Sequence, residues 1–81
     1  MITRLLQGCE TEQKIDLLLQ LTNINSESVI GALKVHLVQG AAESMAYMMF
    51  DVKQQNFSRA LKQLNKVNTI VETIIETTSI K

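Results

Sequence analysis

The sequence contains no proline, no tryptophan and only three glycines in 81 residues. The residues that most often interrupt helices are therefore scarce, and the abundant Leu, Ile, Met and Ala favour helix formation. A single cysteine, Cys9, excludes an intramolecular disulfide and is typical of a chain in a reducing compartment. No run of about 18 apolar residues is present, and the N-terminus is too short and polar for a signal peptide. We therefore expect a soluble cytoplasmic protein of the all-α class.

The length of the chain predicts a single domain that spans residues 1–81. Four helices are predicted from the spacing of apolar residues, at about 12–21, 25–39, 42–50 and 54–77. Thr11 is suited to cap the first helix, and Gly40 is suited to a left-handed position after the second. The third helix is apolar on nearly all sides, which predicts that it is buried between the others with its methionines as core filler. Residues 1–10 precede the first helix and are a candidate flexible segment.

The charges are unevenly distributed although the formal net charge is zero. Residues 10–51 carry six acids and two bases, whereas residues 53–66 carry four bases and no acid. In the fourth helix, the side that contains Phe57 is apolar and is expected to be core. The opposite side, about 140–200° away, holds polar and basic residues: Gln55, Arg59, Lys62 and Lys66. Such a face can reach the phosphates and base edges of DNA, and the same pattern also fits an ordinary solvated helix face.

A helix-turn-helix is predicted from Ala42 to Lys66. A short apolar helix precedes a turn at 51–53, and an amphipathic helix with polar residues at its start follows. Val52 and Phe57 stand where this motif needs apolar anchors. The predicted architecture is a small helical domain with a helix-turn-helix and a long C-terminal helix.

Residues 18–75, about 58 of the 81 positions, resemble the fimbrial (adhesin-biosynthesis) transcription regulator family of the PapB and FocB type. The residues that carry the resemblance are 26–40 (SESVIGALKVHLVQG), Val52, Phe57-Ser58, Leu61 and Leu64. The resemblance implies a regulator of fimbrial operons that binds A/T-rich DNA as an oligomer. Residues 41–44 (AAES) depart from the family, which tends to have basic residues there.

Double-stranded DNA is thus the expected partner, and eight residues are the candidate contacts: Lys53, Gln54, Gln55, Asn56, Ser58, Arg59, Lys62 and Lys66. Gln55 and Asn56 lie early on the recognition helix, where they could read adenine. Arg59 could contact guanine, a phosphate or a narrow A/T minor groove. Lys62 and Lys66 lie further along the helix and are expected to contact phosphates.

A homodimer or higher oligomer is also expected. Six residues of the last helix repeat at alternating spacings of four and three, as in a coiled-coil seam: Ala60, Leu64, Val67, Val71, Ile74 and Thr78. The seam predicts that this helix packs against a second copy.

No nucleophile–base arrangement, phosphate-binding glycine loop or set of metal ligands is present in the sequence, so we expect neither an enzyme nor a cofactor. No small-molecule substrate and no membrane partner are expected either. The single histidine, His36, is expected to be packed at the edge of the core. The alternative is a helical protein-interaction module, such as an adaptor or an antitoxin-like subunit, with the Met-rich helix and the C-terminal helix as its working surface.

Overall fold

The computed structural model describes residues 5–79, and this part of the chain contains four helices and no strand. Their bounds are α1 Glu12–Leu19, α2 Glu27–Leu37, α3 Glu43–Met49 and α4 Gln54–Ser79. The prediction of an all-α fold with a long C-terminal helix is confirmed. Within residues 5–79, no helix is both long enough and apolar enough to cross a membrane.

The helix ends follow from local side-chain chemistry. The Thr11 hydroxyl accepts a hydrogen bond from the Lys14 amide at 3.1 Å, which satisfies one of the free donors at the start of α1. Ser26 caps α2 in the same way through the Val29 amide. After α2, Gly40 has a φ of +88°, in the left-handed region that glycine enters without strain. The predicted cap and the predicted glycine are both confirmed.

The core lies where α1, α2 and α4 meet. Its buried apolar residues are Leu5, Ile15, Leu18, Leu19, Ala32, Leu33, Val35, Leu37, Ala46, Phe57, Ala60, Leu61 and Leu64. Phe57 is 0% exposed, as predicted for the apolar side of α4. His36 is also buried, and its Nδ1 lies 2.8 Å from the Ala41 carbonyl oxygen. The expectation of a packed, hydrogen-bonded histidine is confirmed.

The segment before α1 packs against the helices. Leu5 is buried, and its amide donates to Asn65 Oδ1 at 2.7 Å. The amides of Gly8 and Glu10 donate to carbonyl oxygens near the end of α2, at 3.2 and 3.1 Å. Residues 5–10 are thus held in place, in contrast to the flexibility expected of 1–10, whose first four positions lie outside the described residues.

The prediction that α3 is buried between other helices is wrong. Met45, Met48 and Met49 are 59%, 72% and 62% exposed, and Ala46 is the one buried residue of α3. The helix is only seven residues long and contacts α2 and α4 along one side. Its three methionines therefore face solvent and are not core filler.

The coiled-coil seam predicted along α4 is interrupted for a related reason. Ala60 and Leu64 are buried in the core of their own chain and are not available to a second copy. Further along α4 the core ends, and Ile70, Ile74 and Ile75 are 51–58% exposed. Only the C-terminal part of the predicted seam is therefore an open surface.

Candidate nucleic-acid interface

The turn between α3 and α4 is tightly closed by backbone hydrogen bonds. The Asp51 amide donates to the Met48 carbonyl at 3.2 Å, and the Val52 amide donates to the Tyr47 carbonyl at 2.8 Å. Asp51 has a φ of +55°, in the left-handed region that Asp tolerates better than most residues. A short, hydrogen-bonded turn therefore joins α3 to α4 at the place where the sequence predicts a helix-turn-helix.

The direction of α4 is fixed by Phe57 near its start. The Phe57 ring lies edge-on to His36, with ring centroids 5.9 Å apart, and 5.7 Å from the ring of Tyr47. Val52 is half-buried against the same core. Because the first turns of α4 are anchored on this side, their opposite side is held toward solvent.

Gly31 positions α3 against α2, a role that the sequence analysis did not identify. A Cβ atom at this position would lie 2.5 Å from the Phe50 ring, far inside van der Waals contact. Glycine in the middle of a helix is unfavourable by about 1 kcal/mol relative to alanine. That unfavourable placement is the signal that could have indicated a close approach at Gly31.

Four of the predicted contact residues share one exposed face of α4, which we call the contact face: Gln55, Arg59, Lys62 and Lys66. The other four lie beside it. Gln54 and Asn56 are exposed at the start of the helix. Lys53 is exposed just before it, and its carbonyl accepts the Phe57 amide at 3.0 Å. Ser58 is half-buried at the edge of the contact face and is the least accessible of the eight.

Ion pairs divide the basic residues of the described part of the chain, 5–79, into two groups. Lys14 lies 3.0 Å from Glu10, and Lys34 lies 2.6 Å from Asp16 and 3.2 Å from Glu12. The hydrogen bond with Asp16, followed by that with Glu12, raises the pKa of Lys34 above its ordinary value of 10.5, against a lowering by desolvation.

The second group consists of the bases in and just before α4. Within residues 5–79, none of the four pairs with a carboxylate: Lys53, Arg59, Lys62 and Lys66. No ion pair within the described part of the chain therefore neutralises the positive charge of the contact face.

A groove of about 220 Å³ runs beside the contact face. One wall is the α1–α2 loop with Asn23, Asn25 and Ser26, and the other is the side of α4 with Asn56, Arg59 and Gln63. None of the residues of the α1–α2 loop is among the contacts predicted from the sequence. In the part of the chain that the structure covers, no group of three or more His, Cys, Asp or Glu could hold a metal ion.

The family model described as the PapB adhesin biosynthesis transcription regulatory protein matches residues 2–77 of the sequence. The chain belongs to the PapB family. The crystal structure of FocB from E. coli, at 1.4 Å resolution, is 27% identical and covers 93% of this chain and 85% of FocB, with a TM-score of 0.84. No curated protein sequence matches the chain significantly.

These matches confirm the resemblance inferred from residues 18–75 and extend it across nearly the whole chain. As a PapB-family protein, the chain is a transcription regulator of adhesin and fimbrial operons and is not an enzyme. DNA is the partner that such a regulator requires.

Proposed function

We propose that this PapB-family chain is one DNA-binding domain, 1–81, that binds A/T-rich operator DNA through α4. The contact residues are Lys53, Gln54, Gln55, Asn56, Ser58, Arg59, Lys62 and Lys66. The protein acts as a homo-oligomer on the chromosome, and hence in the cytoplasm. The single observation that carries the proposal is that Arg59, Lys62 and Lys66 of α4 pair with no carboxylate of residues 5–79, in contrast to Lys14 and Lys34.

Electrostatics supports DNA as the ligand of the contact face. Unpaired lysine and arginine side chains gain free energy on binding because they release the counterions of the phosphates that they contact. Each phosphate contact contributes about −0.9 to the slope of log affinity against log salt concentration. Lysines already neutralised by carboxylates, such as Lys14 and Lys34, gain less. Three or four contacts from α4 predict a slope of roughly −3 to −4 per protomer.

The short amide side chains at the start of α4 support sequence preference. Gln55 and Asn56 are exposed on the first turn, where recognition helices reach base edges. Asn and Gln make bidentate hydrogen bonds with adenine, which favours A/T-containing sites. Arg59 adds preference for A/T-rich DNA if it enters a narrow minor groove, where the negative potential is enhanced.

The exposed C-terminal part of α4 supports self-association. Leu17, Val71 and Ile75 line a groove of about 330 Å³ between α1 and α4, and Ile74, the neighbour of Ile75 in α4, is more than half exposed. Apolar side chains in this arrangement are suited to pack against the same surface of a second copy. Several protomers on neighbouring sites raise the occupancy that one weakly bound protomer cannot reach.

The proposal is tested by fluorescence anisotropy with A/T-rich and G/C-rich duplexes of equal length, between about 50 and about 200 mM salt. The intact protein is expected to prefer the A/T-rich duplex. The combined variant Arg59→Ala, Lys62→Ala and Lys66→Ala is expected to flatten the salt slope by about three per protomer. Lys34→Ala is the control, since Lys34 is paired with Asp16 and Glu12 and lines neither the groove beside the contact face nor the groove between α1 and α4.

A triple variant that binds DNA with unchanged affinity and slope would contradict the proposal. The protein-interaction alternative would then gain support, because Met45, Met48 and Met49 form an exposed apolar surface that a protein partner could cover.

A further inference from the structure

The groove beside the contact face brings a second chain segment to the recognition helix. The α1–α2 loop lies along the first turns of α4, opposite Asn56, Arg59 and Gln63. Those turns form the end of a recognition helix that enters the major groove deepest. A loop beside these turns would lie near the DNA backbone at the edge of the major groove.

We propose that the α1–α2 loop is a second DNA-contacting element, in which Asn23, Asn25 and Ser26 donate hydrogen bonds to phosphodiester oxygens. The inference rests on the proposed DNA binding by α4. It adds contacts from the loop to the DNA phosphates on one side of that helix, which we call the backbone clamp. Arg59, in the opposite wall, is placed to bind the same strand.

The side chains of the loop have hydrogen-bond donors that are available to a ligand. Asn23 and Asn25 are exposed, and within residues 5–79 neither side-chain amide is engaged in a hydrogen bond. The Ser26 hydroxyl oxygen accepts from the Val29 amide at 3.4 Å, which leaves the hydroxyl hydrogen available for donation. Asn and Ser side chains are common donors to phosphates, and such contacts orient a protein without reading sequence.

The charges around the groove also favour an anion. None of the described residues that line it is acidic, and Arg59 is unpaired. Glu27, the next residue after Ser26, is exposed but does not line the groove. By contrast, α3 begins with Glu43 and lacks the basic residues that would bind the backbone from that helix.

Asn25→Asp is the sharpest test, because the substitution keeps the size of the side chain and places a negative charge in the groove. If a phosphate lies there, A/T-rich DNA affinity is expected to fall by about 5-fold or more, and the deficit is expected to shrink as salt rises. Gln39→Glu is the matched control. Gln39 is exposed after the other end of α2, about 16 Å along the helix and beyond a Debye length of about 10 Å.

Asn23→Ala combined with Asn25→Ala tests the hydrogen bonds directly. The expected result is a loss of about 10-fold in affinity, equal for A/T-rich and G/C-rich duplexes, with the salt slope unchanged because the lost groups are neutral. Ethylation interference is expected to lose its signal at one flanking phosphate in this variant. Thermal melting verifies that each variant is folded.

Loop variants that bind like the intact protein, while the triple α4 variant loses DNA, would overturn the clamp and leave the proposed function standing. If the triple α4 variant also binds normally, both proposals fail. The two failures are thus distinguished by the same set of variants.

Discussion

The two halves of α4 belong to one helix but differ in charge and in what covers their apolar side. Residues 54–66 carry three bases and no acid, and their apolar side is buried at Phe57 and Leu64. Residues 67–79 carry two acids and no base, and three of their isoleucines are more than half exposed. Where the core covers the helix, it orients the contact face, and where the core ends, the same apolar pattern becomes an open surface.

The C-terminal half stays helical although it is rich in β-branched residues. The hydroxyls of Thr69, Thr73 and Thr77 donate to carbonyl oxygens four residues earlier, at 3.0, 2.8 and 2.8 Å. These bonds satisfy the polar groups of threonine within the helix itself. The helix extends past the core, where Ile70, Ile74 and Ile75 are exposed.

The largest effect is expected from Phe57→Ala, which removes the anchor of the basic half. Loss of a fully buried aromatic ring costs about 3–5 kcal/mol of the free energy of unfolding. For a domain of this size that is a large part of the total stability. Urea denaturation followed by circular dichroism measures the loss. A variant that unfolds like the intact protein but loses DNA affinity would mean that Phe57 faces DNA and not the core.

Self-association is expected to depend on the C-terminal half of α4. Ile74→Gln combined with Ile75→Gln replaces exposed apolar side chains with a residue that forms helices well, so the fold is expected to persist. The loss of about 2 kcal/mol of free energy from apolar burial predicts that the dissociation constant of the dimer rises by about 30-fold. Sedimentation equilibrium measures this constant. Met48→Gln combined with Met49→Gln is the matched control on α3. If the methionine variant dissociates and the isoleucine variant does not, the assembly surface lies on α3.

A smaller effect is expected from Lys62→Ala, which changes one unpaired base on the contact face. Affinity for all sequences should weaken, and the salt slope should flatten by about one. Gln55→Ala provides the contrast, because loss of an amide near the bases should relax sequence preference and leave the slope unchanged. Selection of bound sequences from a random pool measures the preference. Equal effects of the two substitutions on specificity would argue against the assigned roles.

The smallest effect is expected from Lys34→Gln, away from α4. The ion pairs with Asp16 and Glu12 are partly exposed and stabilise the fold by less than about 1 kcal/mol. Because the pKa of Lys34 is raised in the folded protein, its contribution is present below its ordinary pKa of 10.5 and is lost as pH rises through the folded value. Urea midpoints should therefore differ at pH 7 and converge at strongly alkaline pH. A difference that grows at high pH would contradict this assignment, and Lys62→Gln should show no difference at either pH.

Features that depend on local sequence were predictable. Thr11 acts through its hydroxyl on an amide three residues away, Gly40 acts through its own backbone, and Phe57 follows from the periodicity of a single helix. The exposure of α3 was not predictable. Its composition shows that the residues are apolar, but it does not show how much of the helix surface is covered by the neighbouring helices. The loop groove at Asn25 was missed for the same reason, since it depends on two segments more than thirty residues apart in sequence.

The most direct test of the account is a backbone amide chemical-shift titration of the intact protein with an A/T-rich duplex. The duplex carries a single binding site and the protein concentration is held constant, so that self-association does not change. Shifts are expected to concentrate in residues 53–66, with a second group at 23–26, and residues 67–78 are expected to change little. Shifts concentrated in α3 or in residues 67–78, with 53–66 unmoved, would contradict it.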